Sequence, residues 1–214
     1  MQPDIFRLAG GRKGHFRLES GHHGDLWLDL ELLCLRPQQV WPLARKLSQK
    51  IAGHSIDAVC GPLNEGAFVA LMVASELNVE FSYAEPHRLL PSGVLYPVKY
   101  RIPSALRSRL RGKRVAIVND VINAGSAVRG TFLDLRDCGA VPVAVAALLV
   151  LGSSARNFAA ENKVALESIA DVPSALWTPA ECPLCAAGVR LDNPVTYSAA
   201  AQATMDGPGL TPEP

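Results

Sequence analysis

The stretch Arg114-Val115-Ala116-Ile117-Val118-Asn119-Asp120-Val121-Ile122 constrains this chain more than any other. A β-branched apolar run that stops at a carboxylate reads as a strand. The small residues Asn123-Ala124-Gly125-Ser126-Ala127 follow, and Val128, Phe132 and Leu135 then recur at helical spacing. Strand, tight loop and helix in that order place a site for chemistry at the strand's carboxyl end.

The backbone supplies the reason. A loop of Ala124, Gly125, Ser126 and Ala127 lets main-chain N–H groups come close to an anion, and the helix behind it adds its N-terminal partial positive charge. A phosphate fits such a loop. Asp120 stands beside it, where its carboxylate can accept hydrogen bonds from sugar hydroxyls. The same spacing also suits an ordinary strand-to-helix connection with Asp120 as a capping residue.

The rest of the chain repeats the alternation. Residues 1–24 are polar and glycine-rich and predict little regular structure. Leu26–Leu30 alternates like a half-buried strand, and Pro37 opens a helix carried by Val40, Leu43, Ala44, Leu47 and Ile51. Ile56–Cys60 reads as a strand, Gly61-Pro62-Leu63-Asn64-Glu65-Gly66 as a second loop, and Ala67–Leu77 as a helix. Phe81–Tyr83 is a short strand, Val94–Arg101 an extra one after a turn at Ser92-Gly93, and Pro103–Leu110 a short helix. Val143–Leu151 and Ala155–Asn162 add a buried strand and a helix. This succession predicts an α/β fold with a central parallel sheet of at least four strands. With 214 residues, one domain over 1–197 is expected. Its core lies at about 36–169, a small hood comes from about 1–35 and 170–197, and a disordered tail of Ala, Gly, Pro, Ser and Thr covers 198–214.

A formal net charge of +1 gives no global reason to expect nucleic acid or a membrane surface as partner. Local charge says more. From Pro86 to Asn119 there is no acid, while Arg88, Lys99, Arg101, Arg107, Arg109, Arg111, Lys113 and Arg114 are all present. Such a tract would draw a polyanionic small molecule toward the loop that follows, or else form a solvated surface. Neither a signal peptide nor an apolar run of spanning length is read, so a cytoplasmic protein is expected. The five cysteines then read as thiols or metal ligands. Cys182-Pro183-Leu184-Cys185 is half of a tetrahedral zinc site, since two intervening residues let both sulfurs face one ion. Closure would need Cys34, Cys60, Cys138, a histidine or another subunit; a redox pair or a plain thiol-bearing turn suits the same residues. His22 and His23 sit in a glycine-rich loop and are expected to be exposed, without partners as metal ligands.

The central stretch resembles the phosphoribosyl-pyrophosphate motif of type I phosphoribosyltransferases. Asp120, Val121, Ile122, Ala124, Gly125, Ser126 and Ala127 match it, and Asn119 stands where the family carries its first acid. Phe16-Arg17-Leu18-Glu19-Ser20-Gly21 with Leu26–Asp29 is similar to the hood segment of orotate phosphoribosyltransferases, in which Lys usually takes the place of Glu19. The resemblance covers roughly residues 14–151. It implies the family's fold, a parallel sheet with a hood, and transfer of phosphoribose from 5-phosphoribosyl 1-diphosphate to a nitrogenous base, orotate or a related pyrimidine. It further implies that Asp120 and Asn119 face the ribose hydroxyls, with magnesium held indirectly through Asp120, and that Asn123–Ala127 hold the 5′-phosphate. Gly61, Pro62, Leu63, Asn64, Glu65 and Gly66 would hold the pyrophosphate. Arg88, Lys99 and Arg101 stand in for the cations of a closing loop, and a homodimer is implied. Asn119, Glu65 and the lysine-poor loop carry an alternative: a non-catalytic sensor that keeps the 5′-phosphate pocket.

Overall fold

The computed structural model describes residues 5–18, 21–88 and 98–192, with Arg88 and Val98 described by their backbone. Glu19, Ser20, the turn expected at Ser92-Gly93 and the tail 198–214 lie outside the described residues. Nine strands are present among those described: β1 (Arg12–Arg17), β2 (His23–Trp27), β3 (Ala58–Pro62), β4 (Glu80–Arg88), β5 (Val98–Arg101), β6 (Arg114–Ile122), β7 (Val141–Leu151), β8 (Ala165–Val172) and β9 (Leu176–Trp177). The helices are α1 (Ile5–Leu8), α2 (Pro37–Ile51), α3 (Glu65–Leu77), α4 (Ser104–Leu110), α5 (Ser126–Asp137), α6 (Ser154–Asn162) and α7 (Pro183–Ala186).

The chain divides into two compact units, one of residues 1–10 and 29–173 and the other of 11–28 and 174–214. The first holds a six-stranded sheet in the order β5-β4-β3-β6-β7-β8. Every pairing in it is parallel except β4 with β5. β6 and β7 both lie inside the edge strands, and eight of the nine residues of β6 are buried, which is why these segments read as continuous apolar runs without polar alternation. Cys60, Ile117, Val145 and Ala147 pack with Leu110 of α4, Val128, Phe132 and Leu135 of α5, and Phe158 of α6. The Phe132 and Phe158 rings meet edge to face at 5.2 Å. α2 and α3 pack on one another and on strands of the same sheet, α3 burying Val69, Ala70, Val73 and Ala74.

The α/β fold with a mostly parallel central sheet is as the alternation predicts, and its six strands agree with the expected minimum of four. Two details differ. β8 carries no strand signal in the sequence: all but one of its residues are only half-buried, so that Ala165–Val172 shows neither an apolar run nor clean alternation. The strand expected at Leu26–Leu30 ends at Trp27, and a 3₁₀ helix takes up Leu30–Leu35.

The second unit corrects the reading of residues 1–24 as largely irregular. β1 and β2 form an antiparallel ribbon, and β9 adds to β2 as a third strand. The signal was hidden because the buried positions near this ribbon's middle include His15 and His23 as well as Phe16. A strand whose inner face carries histidine shows no apolar period of two.

Candidate active site

β3 and β6 are adjacent and parallel, pairing Ala58 with Val115, Val59 with Ala116 and Cys60 with Ile117. Their carboxyl ends therefore deliver both sequence-expected loops, 61–66 and 123–127, to the same edge of the sheet. Each loop runs directly into a helix, α3 and α5. Ligands of open parallel sheets bind at such an edge.

The second loop is open to an anion. Gly125 adopts φ +80° as the residue preceding α5, a conformation that L side chains rarely take. Its carbonyl accepts from Arg129 N at 2.9 Å. The N–H groups of the first helical turn have no partner within the helix, and that turn contains no acid. Ala124 and Ser126 are exposed and Asn123 and Ala127 half-buried, so solvent reaches the loop.

Asp120 is only 4% exposed, yet its Oδ2 has no hydrogen-bond partner among the described residues. A buried acceptor left unmatched is costly in a folded chain, and it suits a site completed by a hydroxyl or a hydrated cation. Burial pushes the Asp120 carboxyl up to about 6, offset in part by hydrogen bonds from the backbone of Val121 and of Asp120 itself, with Glu65 raising it further. The same neighbourhood includes Cys34. Burial, with Asp120 and Glu65 nearby, pushes that thiol up to about 11.

Asn119 is placed differently from Asp120. Its Nδ2 donates to Val121 O at 2.9 Å, and its Oδ1 lies against Gly66, where an added Cβ would stand 2.0 Å away. Both ends of the amide are engaged inside the protein. Gly61 is equally constrained: a Cβ there would meet Ala67 Cα and Ala70 Cβ at 2.6 Å each. The two glycines of the first loop thus let α3 pack directly on β3 and β6. Leu63 N donates to Ala84 O at 2.9 Å, and the Leu63–Asn64 peptide is cis. Glu65 opens α3 and is half-buried.

Lys99 and Arg101 lie on β5, which pairs with the end of β4, Glu85 opposite Arg101 and His87 opposite Lys99. They line a cavity of about 550 Å³ together with Ser126 and Arg129 of α5. Gly130 makes this possible, since a Cβ there would stand 3.0 Å from the Tyr100 ring. Asp134 also lines the cavity, but its Oδ2 is taken by Ile102 N at 2.8 Å and Arg107 Nη1 at 2.7 Å. Arg129 was not singled out in the sequence. It lies 4.7 Å over the Phe158 ring, and its Nε is buried without a partner among the described residues. Its position one turn after Gly125 was the available signal. The Arg88 side chain lies outside what is described. Cys182 and Cys185 belong to the second unit, whereas Cys34, Cys60 and Cys138 belong to the first.

Known proteins resemble this chain in sequence and fold. The phosphoribosyl transferase domain model matches residues 36–204. An orotate phosphoribosyltransferase of Pelotomaculum thermopropionicum is 32% identical over 194 residues, spanning 89% of this chain and 93% of that protein. One from Caldanaerobacter subterraneus is 29% identical over 192 residues, spanning 89% and 94%. The crystal structure of orotate phosphoribosyltransferase from Aeropyrum pernix matches with a TM-score of 0.61 at 25% identity, over 80% of this chain and 94% of that one.

Proposed function

Since the chain belongs to the phosphoribosyltransferase family, we propose that it transfers phosphoribose from 5-phosphoribosyl 1-diphosphate to orotate or a closely related pyrimidine. The observation that carries this is Asp120 Oδ2, a buried and unpartnered carboxylate oxygen immediately before an acid-free, glycine-opened helix start. A ribose 5-phosphate satisfies both needs at once, hydroxyls for the carboxylate and phosphate oxygens for the N–H groups of 125–128.

In the transfer, a ring nitrogen of the base forms a bond to C1 of the ribose while the C1–O bond to pyrophosphate breaks, and the leaving group takes the electron pair. The ribose passes through oxocarbenium-like charge, so the protein's work is positional and electrostatic. Asp120 fixes the ribose through its hydroxyls. The loop 123–127 anchors the 5′-phosphate. The loop 61–66 holds the pyrophosphate, and Lys99, Arg101 and Arg129 offer positive charge to the departing oxygens. The unpartnered Asp120 Oδ2 fits an indirectly held Mg²⁺, which when bound would neutralise pyrophosphate charge. Cys182 and Cys185, whether zinc ligands, a redox pair or plain thiols, have no part in this chemistry. A homodimer, as the family resemblance implies, and a place in the cytoplasm complete the proposal.

The test is pyrophosphate release on incubation with 5-phosphoribosyl 1-diphosphate, Mg²⁺ and a panel of pyrimidine and purine bases. Orotate-dependent release is the expected result. Tight binding of the phosphoribosyl donor without release for any base would instead mark the chain as a sensor that keeps the pocket.

A further inference from the structure

The second unit has little apolar interior. Among its described residues, the buried side chains are Phe16, Leu26 and Cys182, together with His15 and His23. A three-stranded sheet with so few buried hydrophobes ordinarily needs a covalent or metal staple. The chain brings suitable groups together. Arg17 pairs with His23 across the β1–β2 ribbon, and His15, two residues before Arg17, returns to the same face as His23. β9 joins β2 through Trp177 opposite His23. The chain then turns at Pro179–Glu181 and presents Cys182-Pro183-Leu184-Cys185.

The side chains converge on one point. His15 Nε2 lies 3.1 Å from His23 Nδ1 and 3.3 Å from Cys182 Sγ. Cys185 Sγ lies 3.7 Å from His15 Nε2 and 3.3 Å from His23 Nδ1. All four atoms fall within 4.8 Å of one another. Metal–ligand bonds of about 2.0–2.1 Å to nitrogen and about 2.3 Å to sulfur, at tetrahedral angles, put ligand atoms roughly 3.3–3.8 Å apart. The four separations just given, 3.1–3.7 Å, lie close to that spacing.

The imidazole of His15 is oriented for this role. Its Nδ1 lies 2.9 Å from Val189 O, and a carbonyl can only accept, so Nδ1 carries the proton and Nε2 presents a lone pair to the cluster. A ligating histidine held by a backbone carbonyl through its other nitrogen is the usual outer-shell arrangement of metal sites.

We propose that His15 Nε2, His23 Nδ1, Cys182 Sγ and Cys185 Sγ form a closed tetrahedral site for one structural zinc ion, which staples the β1–β2 ribbon to the segment after β9. Two sulfurs and two imidazoles at tetrahedral spacing select zinc, and four protein ligands leave no open position for a substrate. Two thiolates balance the ion's charge, their protons leaving as it binds. A two-iron cluster would split the histidine pair and the cysteine pair between two metals, whereas here each cysteine touches His15. The site also corrects the reading of His23 as an exposed residue lacking partners: it is 5% exposed.

The test is elemental analysis of the full chain purified without added metal or chelator, followed by titration of Co²⁺ into reduced, metal-stripped protein. One zinc per chain is expected, with visible absorption of tetrahedral Co²⁺ and thiolate-to-metal charge transfer on reconstitution. Cys182→Ser and His15→Ala should each retain under a tenth of the parent's metal, while His87→Ala keeps it all. The Co²⁺ arm uses the parent chain, so it decides even if a variant fails to fold. Failure of the reduced parent to take up either metal, or full metal retention by Cys182→Ser, overturns the proposal.

Discussion

Gly66 and Asn119 are in contact that leaves no room for a side chain, a Cβ on Gly66 standing 2.0 Å from Asn119 Oδ1. α3 is thereby seated against the end of β6, and the seat is fixed by the amide's other end at Val121 O. Gly66→Ala should push Asn119 off this bond and cost about 1–3 kcal/mol of stability. Chemical denaturation reads it as a lower midpoint with an unchanged slope.

Asn119→Asp is the change that would restore the family's acid pair. The geometry predicts a different result from simple restoration: a carboxylate cannot donate to Val121 O, and two oxygens would face each other at 2.9 Å in a buried place. A loss of about 1–3 kcal/mol is expected, with no gain in pyrophosphate release. Calorimetric titration of magnesium and the phosphoribosyl donor, beside a denaturation curve, checks both halves. A stable variant with faster release would mean that Asn119 turns toward the ligand.

Asp120 trades stability for binding. Its folded pKa of about 6 lies above the unfolded value of 3.8, so between those values the unfolded chain sheds the proton first and stability falls as pH rises. The full deficit, at most about 3 kcal/mol, is present above pH 6 or so. Asp120→Asn should therefore raise the melting temperature at pH 7–8 and flatten stability between pH 4 and 6. The same variant should bind the phosphoribosyl donor at least tenfold more weakly, since a charge-assisted hydrogen bond contributes about 1.5–3 kcal/mol. In the parent, affinity should climb through pH 6 as the carboxylate ionises. An Asp120→Asn protein that is less stable and binds as before would put the ribose elsewhere.

At Gly125 the obstacle to substitution is conformational. The nearest atoms to an added Cβ are Ile122 Cγ2 at 3.7 Å and Arg129 Nε at 3.9 Å, which is ordinary contact, but φ is +80°. Alanine should cost about 1–2 kcal/mol, and β-branched valine should force the loop out of shape. Ribose 5-phosphate affinity of Gly125→Val is expected to fall at least tenfold with an unchanged far-ultraviolet spectrum.

Arg129→Met tests the cavity cation. Methionine keeps contact with the Phe158 ring while removing the donor at Nε, so folding should be spared. The expected loss is tenfold or more in pyrophosphate affinity, measured by competition, with base affinity little changed.

These residues show what was readable from the chain alone and what was not. Asp120, Gly125 and Ser126 were visible because a strand that ends in an acid before a glycine loop is a local pattern, contained within 114–127. The strands β6 and β7 were visible as apolar runs because each has a neighbour on both sides and most of its residues buried. Asn119's inward turn was not, because it depends on Gly66, which is remote in sequence. Arg129 reads in the sequence as a helix-surface cation, and only the packing of α5 on β5 places it in the cavity with Lys99 and Arg101. His15 and His23 disguised two strands, since a polar interior breaks the alternation by which strands are recognised. The zinc-type half site of Cys182 and Cys185 was legible, but its other half lay more than a hundred and fifty residues away, across contacts such as Cys182 with His15.

The pairing of β3 with β6 has a kinetic meaning as well as a geometric one. The two loops come from segments separated by β4, β5 and α4, so their meeting is a high-contact-order event that local structure cannot anticipate. A fragment holding only 114–137 should form a marginal helix and no competent phosphate site, because nothing would bury Asp120 or position Asn119. Ligand affinity is then a reporter of sheet closure, and 5-phosphoribosyl 1-diphosphate should slow unfolding of the first unit as a whole instead of stiffening one loop.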